Sequence, residues 1–591
     1  MFDNIAERSE NKAISSKLRH VKNYFSESKF LNSPPFAFSC GSILGALFFI
    51  YIFGINVLDF TYTDWLMVEE GDLPQHYLGW KLLRNSSWSY PLGLIENVVY
   101  PFRISVIYTD SIPLFALFFK LLSPILPKNF QYFGLFGIVC YMLQGGIGAL
   151  IIKKIGGNTA QAIIGSLFFI LSTPMIFRIY WHTALIAHFI LLLCILLYLE
   201  ENYSLKKQIV LWSGLLALSV SIHLYFTPMV LIFVFFRQIQ ECVFSKKMVK
   251  PCIAFAVSLL VMFGTMFSLG AFYFVNDTSA LGVRLYSANL NTFFNPQDAS
   301  SLINNLPLAQ FQQYEGFAYL GMGIIISIIF MVIFGIIKLF NKKSKINIKS
   351  FDFRKIFPFL PGIVLTLLLF SLSPKITLNQ YTLLELPELG FVERIWGIFR
   401  SAGRMTWPIV YIVVVFCLGW IINRISMKKA VIFLSILLVI QWVDLKPWLI
   451  EKGERFKERV AWQPELASPV WNNLAKEYKH IFLFDDPYAI EEYGWWVVKY
   501  TYCFLDMAVN NGMTVNDAWL SRKNSEIINK NKQTELSNLV NNKSKSDTIY
   551  VFMVNDWRIS TLKNRGIHFY HLDNVLIGLN SKKPYMEDYV F

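Results

Sequence analysis

The residues able to do acid–base or anion-holding chemistry gather in a few short stretches. The richest reads Glu69-Glu70-Gly71-Asp72-Leu73-Pro74-Gln75-His76-Tyr77, with Asp110 further on. Arg178, His182, His188, His223, Asn289, Glu315, Arg400 and Arg404 follow at wide intervals, nearly all beside long apolar runs rather than inside them. A positioned carboxylate or imidazole can move a proton, and arginine or histidine donors can hold an oxyanion. Each also has a plainer reading. Asp72 and Asp110 both stand shortly before a proline and suit helix capping; Glu69 and Glu70 suit a solvated edge. The histidines suit packing against apolar helices, the arginines suit side chains reaching to a membrane surface, and Glu315 suits a helix-start dipole contact.

The elements that must position these residues are dictated by composition. Of 591 residues, 54% are apolar and only 16% charged, well under the ~25% charge of an ordinary soluble chain. With 53 Phe, 28 Tyr and 16 Trp, the chain suits lipid and its interfaces. Disorder, collagen and a disulfide scaffold are excluded on the same figures. The seven cysteines are scattered without CxxC or Cys/His spacing, and read as small hydrophobes.

A basic segment, 1–35, precedes a first span at 36–57 that lacks a convincing cleavage site and so reads as a helix, not a leader. Further spans are expected at 130–152, 157–175, 184–200, 208–223, 224–240, 250–273, 317–340, 355–372, 406–424 and 429–446. The basic clusters Lys153-Lys154, Lys206-Lys207, Lys246-Lys247, Lys342-Lys343-Lys345 with Arg354-Lys355, and Arg424 with Lys428-Lys429 then share one side with the N-terminus. The positive-inside rule makes that side cytoplasmic. The solution of about 11 transmembrane helices requires 112–126, broken by Pro113 and Pro124, not to cross. Domains are thus expected at 1–35, 36–446 and 447–591. Large outer loops fall at 58–129, 274–316 and 373–405, and the last domain is a soluble α/β unit on the outer face with strands near 480–484, 548–552 and 575–578.

An acidic residue soon after the first span, a tyrosine a few positions on and a following Trp-x-x-Pro segment resemble the GT-C glycosyltransferases; Asp72, Tyr77 and Trp88 with Pro91 are the matching positions. Further pieces are similar to one uncharacterised bacterial branch of that class. They include Tyr108-Thr-Asp-Ser-Ile-Pro-Leu114, Arg178 through His182 to His188, Ile222-His-Leu-Tyr225 and Ser287-Ala-Asn-Leu-Asn291. Tyr314 through Gly323, Arg400 through Pro408, and Gln441 with Asp444 complete the set. The resemblance implies a polytopic α-helical GT-C fold in a bacterial inner membrane. It also implies transfer of a sugar from a polyprenyl-phosphate carrier to a cell-envelope glycan such as lipopolysaccharide O-antigen, by inverting attack with Asp72 as general base. His76, Tyr77, Asp110, Arg178, His182, His223, Asn289, Glu315 and Arg404 are then the expected substrate-binding residues. No metal ligand set is evident, although the class leaves room for a divalent metal. A lipid-linked saccharide polymerase, flippase or transporter is the alternative, and a non-catalytic docking subunit a third. The sequence holds no GxxxxGK[ST] loop or HExxH pattern, and its basic residues serve topology rather than nucleic acid.

Overall fold

The computed structural model describes residues 30–68, 71–200, 204–276, 282–340, 358–387, 389–490, 494–553 and 557–591. Glu69, Glu70, the basic residues before position 30, and Lys342, Lys343, Lys345, Arg354 and Lys355 lie outside them.

Among the described residues seven helices are long and apolar enough to cross a membrane: Pro34–Phe53, Phe133–Lys154, Leu205–Ile222, Phe226–Ser245, Val249–Ser268, Ala402–Arg424 and Met427–Glu454. Four more apolar helices, Thr159–Ile170, Thr183–Tyr198, Met322–Ile337 and Leu360–Leu372, are shorter. Each falls where a span is expected, but Thr159–Ile170 has only 12 residues. At ~1.5 Å per residue it reaches about 18 Å, short of a ~30 Å hydrocarbon core. Its run is broken because Pro174, which cannot donate within a continuing helix, instead opens a separate helix, Thr173–Arg178. Within 112–126 the chain forms the nine-residue helix Pro113–Leu121, too short to cross. The last long helix does not stop at 446 but runs on to Glu454 with Pro447 inside it.

The first two long helices pack backbone to backbone. A Cβ at Gly41 would meet the Gly145 carbonyl oxygen at 2.3 Å, and one at Gly45 the Tyr141 carbonyl oxygen at 2.0 Å. Only glycine permits this approach, the small-xxx-small solution for helices that gain little from burying apolar surface in lipid. One end of the bundle collects Lys154 paired with Glu200 at 2.7 Å, Asn423 donating to Ile155 O, and Thr159 donating to Leu31 O. The site described below occupies the other end.

Over that second end lie three sheets. β1 (Leu94–Val99) and β2 (Phe102–Ser105) form an antiparallel ribbon, and β3 (Lys375–Leu378) and β4 (Tyr381–Glu385) another. The C-terminal sheet comprises β5 (His480–Leu483), β6 (Thr514–Val515), β7 (Thr548–Phe552), β8 (His568–Leu572) and β9 (Val575–Leu579) in the order β6-β5-β7-β9-β8. β5 runs parallel to β6 and β7, whereas β9 is antiparallel to β7 and β8. Every residue of β7 and β9 is buried, as expected of short apolar central strands. This unit grips the 58–129 loop: Lys81 Nζ bonds Asp506 at 2.9 Å, Asn85 donates to Val509 O, Tyr100 N donates to Val515 O, and Tyr502 OH donates to Gly71 O.

Candidate functional site

Asp72 immediately precedes the helix Leu73–Asn85, whose first turn tolerates Pro74 because the N–H lost there has no helical partner. Its carboxylate does not cap that helix. It turns instead toward the bundle, where Oδ2 lies 2.8 Å from His182 Nδ1, and toward the C-terminal unit, where the indole N–H of Trp519 donates to Oδ1 at 3.1 Å. Burial pushes the carboxyl's pKa up, but the charge and hydrogen bond of His182, His76 and the Trp519 donor outweigh it and hold the pKa down at about 2. Asp72 is therefore anionic at neutral pH, and its side chain keeps 20% of its exposure.

A second pair faces the same helix. Asp110 Oδ1 sits 3.3 Å from His223 Nε2, and because Tyr225 N–H donates to His223 Nδ1 at 3.1 Å, the ring's proton belongs on Nε2. Burial raises the pKa of Asp110, but the charge and hydrogen bond of His223 outweigh that and lower it overall. The Asp110 backbone adopts φ +53°, as does Ile112, a conformation that is costly for a β-branched residue. The turn is held by Ser111 Oγ donating to His76 O at 2.6 Å, Gln75 Nε2 donating to Tyr108 O at 3.1 Å, and Tyr132 OH donating to Ser111 O. His76 itself is fully buried between the two acid–histidine pairs, its ring stacked on Phe133, with neither ring nitrogen hydrogen-bonded.

Behind them lies a buried ionic knot. Glu315 Oε2 is 2.6 Å from Arg178 Nη2 and 2.7 Å from Arg404 Nε, and its Oε1 also bonds Arg404 Nη2 at 3.1 Å. His182 Nε2 stands 4.0 Å from Oε1, so this knot adjoins Asp72 through one imidazole. Burial raises the Glu315 pKa, but the two guanidiniums lower it well below the usual carboxylate range. Gly403 and Gly316 allow the approach: a Cβ on Gly403 would meet Gly316 Cα at 2.7 Å. With two cations for one anion, the knot retains one positive charge in excess.

The structure thus brings together Asp72, His76, Asp110, Arg178, His182, His223, Glu315 and Arg404. It does not bring Tyr77 or Asn289 among them. Tyr77 is core, with the Lys81 ammonium 5.4 Å from its ring. Asn289 ties the 282–316 loop to itself through Gln313 and Asn291, and to the β3–β4 turn through Asn379. His188 is a packing residue, bonded to Tyr411 OH and lying against Trp407. Arg178 and Arg404 spend their guanidinium forks on Glu315, rather than holding them open for an anion. Asp444 accepts from Tyr319 OH and Met322 N, an architectural tie inside the last long helix.

Sequence reasoning missed Trp519 and Lys452. The Lys452 ammonium lies 5.2 Å from the Phe177 ring and 5.9 Å from those of Trp181 and Trp448; among the described residues it makes no ion pair, and the composition of its helix gave no sign of this cage. Trp495 lines a cleft of about 260 Å³ beside Gly71 with Trp462, Lys499 and Tyr502. Among the described residues no three His, Cys, Asp or Glu side chains are disposed to hold a metal ion, Asp72 and Asp110 each being turned to its own histidine.

These features define a multi-pass helical membrane protein with an ionisable site under a small sheet domain. The chain belongs to the family described as a domain of unknown function, DUF6311, whose model matches residues 42–446; the DUF6311 C-terminal domain matches residues 470–580. No curated protein matches it. Among solved structures it is similar to the archaeal oligosaccharyltransferase AglB from Archaeoglobus fulgidus in complex with an inhibitory peptide and a dolichol-phosphate, at 10% identity and TM-score 0.39, over 92% of this chain and 74% of that one. A crystal structure of the Archaeoglobus fulgidus oligosaccharyltransferase tethered to an acceptor peptide with an NVT sequon gives 10% identity and TM-score 0.40, over 95% of this chain and 75% of the other.

Proposed function

We propose that this protein is a GT-C-type glycosyltransferase that moves a sugar from a polyprenyl-phosphate carrier to a hydroxyl of a cell-envelope glycan. In this reading about eleven helices cross a bacterial inner membrane, the N-terminus is cytoplasmic, and the site and C-terminal domain face outward. The observation that carries the reading is Asp72: a partly exposed, ionised carboxylate that caps nothing and is held from two sides by His182 and Trp519.

The chemistry follows from those positions. The acceptor oxygen attacks the anomeric carbon from the face opposite the phosphate. The bond from that carbon to the phosphate oxygen breaks, and its electron pair leaves with the polyprenyl phosphate. The hydroxyl proton passes to Asp72. A carboxylate of low pKa is a weak base toward a free hydroxyl, but it suits an attacking oxygen that has already become strongly acidic; such help is worth about 10²–10⁴ in rate. The departing phosphate meets Lys452 in its aromatic cage, with the excess positive charge of the Glu315 knot behind it. The cleft beside Gly71, with Trp462 and Trp495 on its walls, gives the acceptor sugar a flat apolar surface close to Asp72.

The test uses membrane vesicles given a labelled polyprenyl-phosphate sugar. Wild type places covalent label on an acceptor, and Asp72→Asn, expressed at the same level, abolishes it. Full transfer by Asp72→Asn removes that residue from the mechanism. Movement of label across the bilayer without a new linkage turns the reading to a flippase or transporter.

A further inference from the structure

Trp519 comes from the C-terminal unit and is placed with unusual care. The turn that carries it begins at Asp517, 1% exposed, whose two oxygens are each taken by a buried lysine: Lys523 Nζ at 2.6 Å and Lys532 Nζ at 2.7 Å. Lys532 also donates to Asp485 O at 2.9 Å, tying the turn to the end of β5. Leu520 N donates to Tyr488 OH at 3.0 Å, and the Tyr488 ring lies under the indole with centroids 4.3 Å apart and planes 25° apart. On the far side Ser521 N and Oγ both donate to Tyr108 O, two residues from Asp110. Burying two ammonium groups around one carboxylate is expensive and gives little net stability, so a purely structural turn has no need of it. What the arrangement does fix is the direction of one N–H, and that N–H ends on Asp72 Oδ1.

We propose that the 517–523 turn of the C-terminal domain is a positioning device for the Asp72 carboxylate, with Trp519 as the positioning residue. The inference rests on the reading of Asp72 as the base. With Oδ1 held by the indole and Oδ2 by His182, rotation of the carboxylate is restrained, and each oxygen keeps a lone pair to accept a proton. The C-terminal domain is then a working part of the site and not an appendage.

The experiment replaces the N–H alone. Trp519→3-benzothienylalanine substitutes sulfur for the N–H and keeps the ring on Tyr488, so folding is preserved; Trp519→Phe is the companion. Labelled polyprenyl-phosphate sugar in vesicles reads kcat and donor KM. Loss of a hydrogen bond to a charged group predicts a fall in kcat of about tenfold or more with KM within about twofold. An unchanged kcat in the benzothienylalanine protein overturns the proposal, as does a fall carried by KM alone. A second readout needs no turnover: the ¹⁹F resonance of 5-fluorotryptophan at position 519 shifts in Asp72→Asn, and a resonance that does not move also overturns it. An Asp72→Asn protein with full transfer would instead sink the reading beneath it, while leaving the ¹⁹F contact measurable.

Discussion

At the scale of single residues, the site is a set of ionisable groups whose burial is tolerable only because each charge has an opposite beside it. Glu315 between Arg178 and Arg404 is the clearest instance; an uncompensated buried charge costs about 3–5 kcal/mol. His76 is the exception, fully buried with both ring nitrogens unbonded, and so it is held uncharged. Burial lowers its pKa from 6.5 to about 4, against the pull of Asp110 and Asp72 and with a further push from His182 and His223. The folded ring is thus neutral at pH 5 to 6, where the unfolded chain binds a proton. By linkage, its contribution to stability is complete above about pH 6.5 and is lost as pH falls toward 4. The expected outcome is that the melting temperature in detergent drops from pH 7 to pH 4.5, and drops less steeply in His76→Asn. Equal slopes in the two proteins would show that the ring does not titrate on unfolding.

At the scale of elements, the long apolar helices were legible because a run of some twenty apolar residues is the strongest signal a sequence carries. Of the C-terminal strands, β5, β7 and β9 were legible for a similar reason, being short apolar runs between polar turns, whereas β6 and β8 were not expected. What was not legible is pairing over distance. Asp72 finds its indole partner 447 positions away, and Glu315 reaches Arg404 across 89; no local pattern encodes either. The same limit explains why Arg178 and Arg404 were expected to hold an anion and are instead bound to Glu315. Asn289, equally polar and also in a loop between helices, proves to be a tie between loops. Where helices touch, by contrast, glycine spacing does encode geometry. Gly45→Leu should force apart Pro34–Phe53 and Phe133–Lys154, costing at least the ~1–3 kcal/mol of an overpacked core and lowering both yield and melting temperature. Gly214→Leu, on a helix where an added Cβ meets nothing within 4 Å, should be neutral or mildly stabilising. Thermal unfolding of the two variants checks this, and equal loss in both would mean that the close approach is not what holds the pair.

At the scale of the whole molecule, function depends on which end of the bundle faces out. Lys154, Asn423 and Thr159 mark one end, and Asp72, His182 and Glu315 the other, with the C-terminal sheet domain over it. The proposed use of a lipid-phosphate donor outside the cell needs the second end to be external, the orientation that the positive-inside rule expects from the lysine-rich turns at the first. Cysteine labelling separates the ends. In a Cys252→Ser background, since Cys252 is exposed, Lys543→Cys in the C-terminal domain should react with a membrane-impermeant maleimide in intact spheroplasts. Lys246→Cys, in the turn between two long helices, should react only after permeabilisation. The reverse pattern would put Asp72 in the cytosol, where the proposed outward transfer has no acceptor, and the glycosyltransferase reading would fall with it.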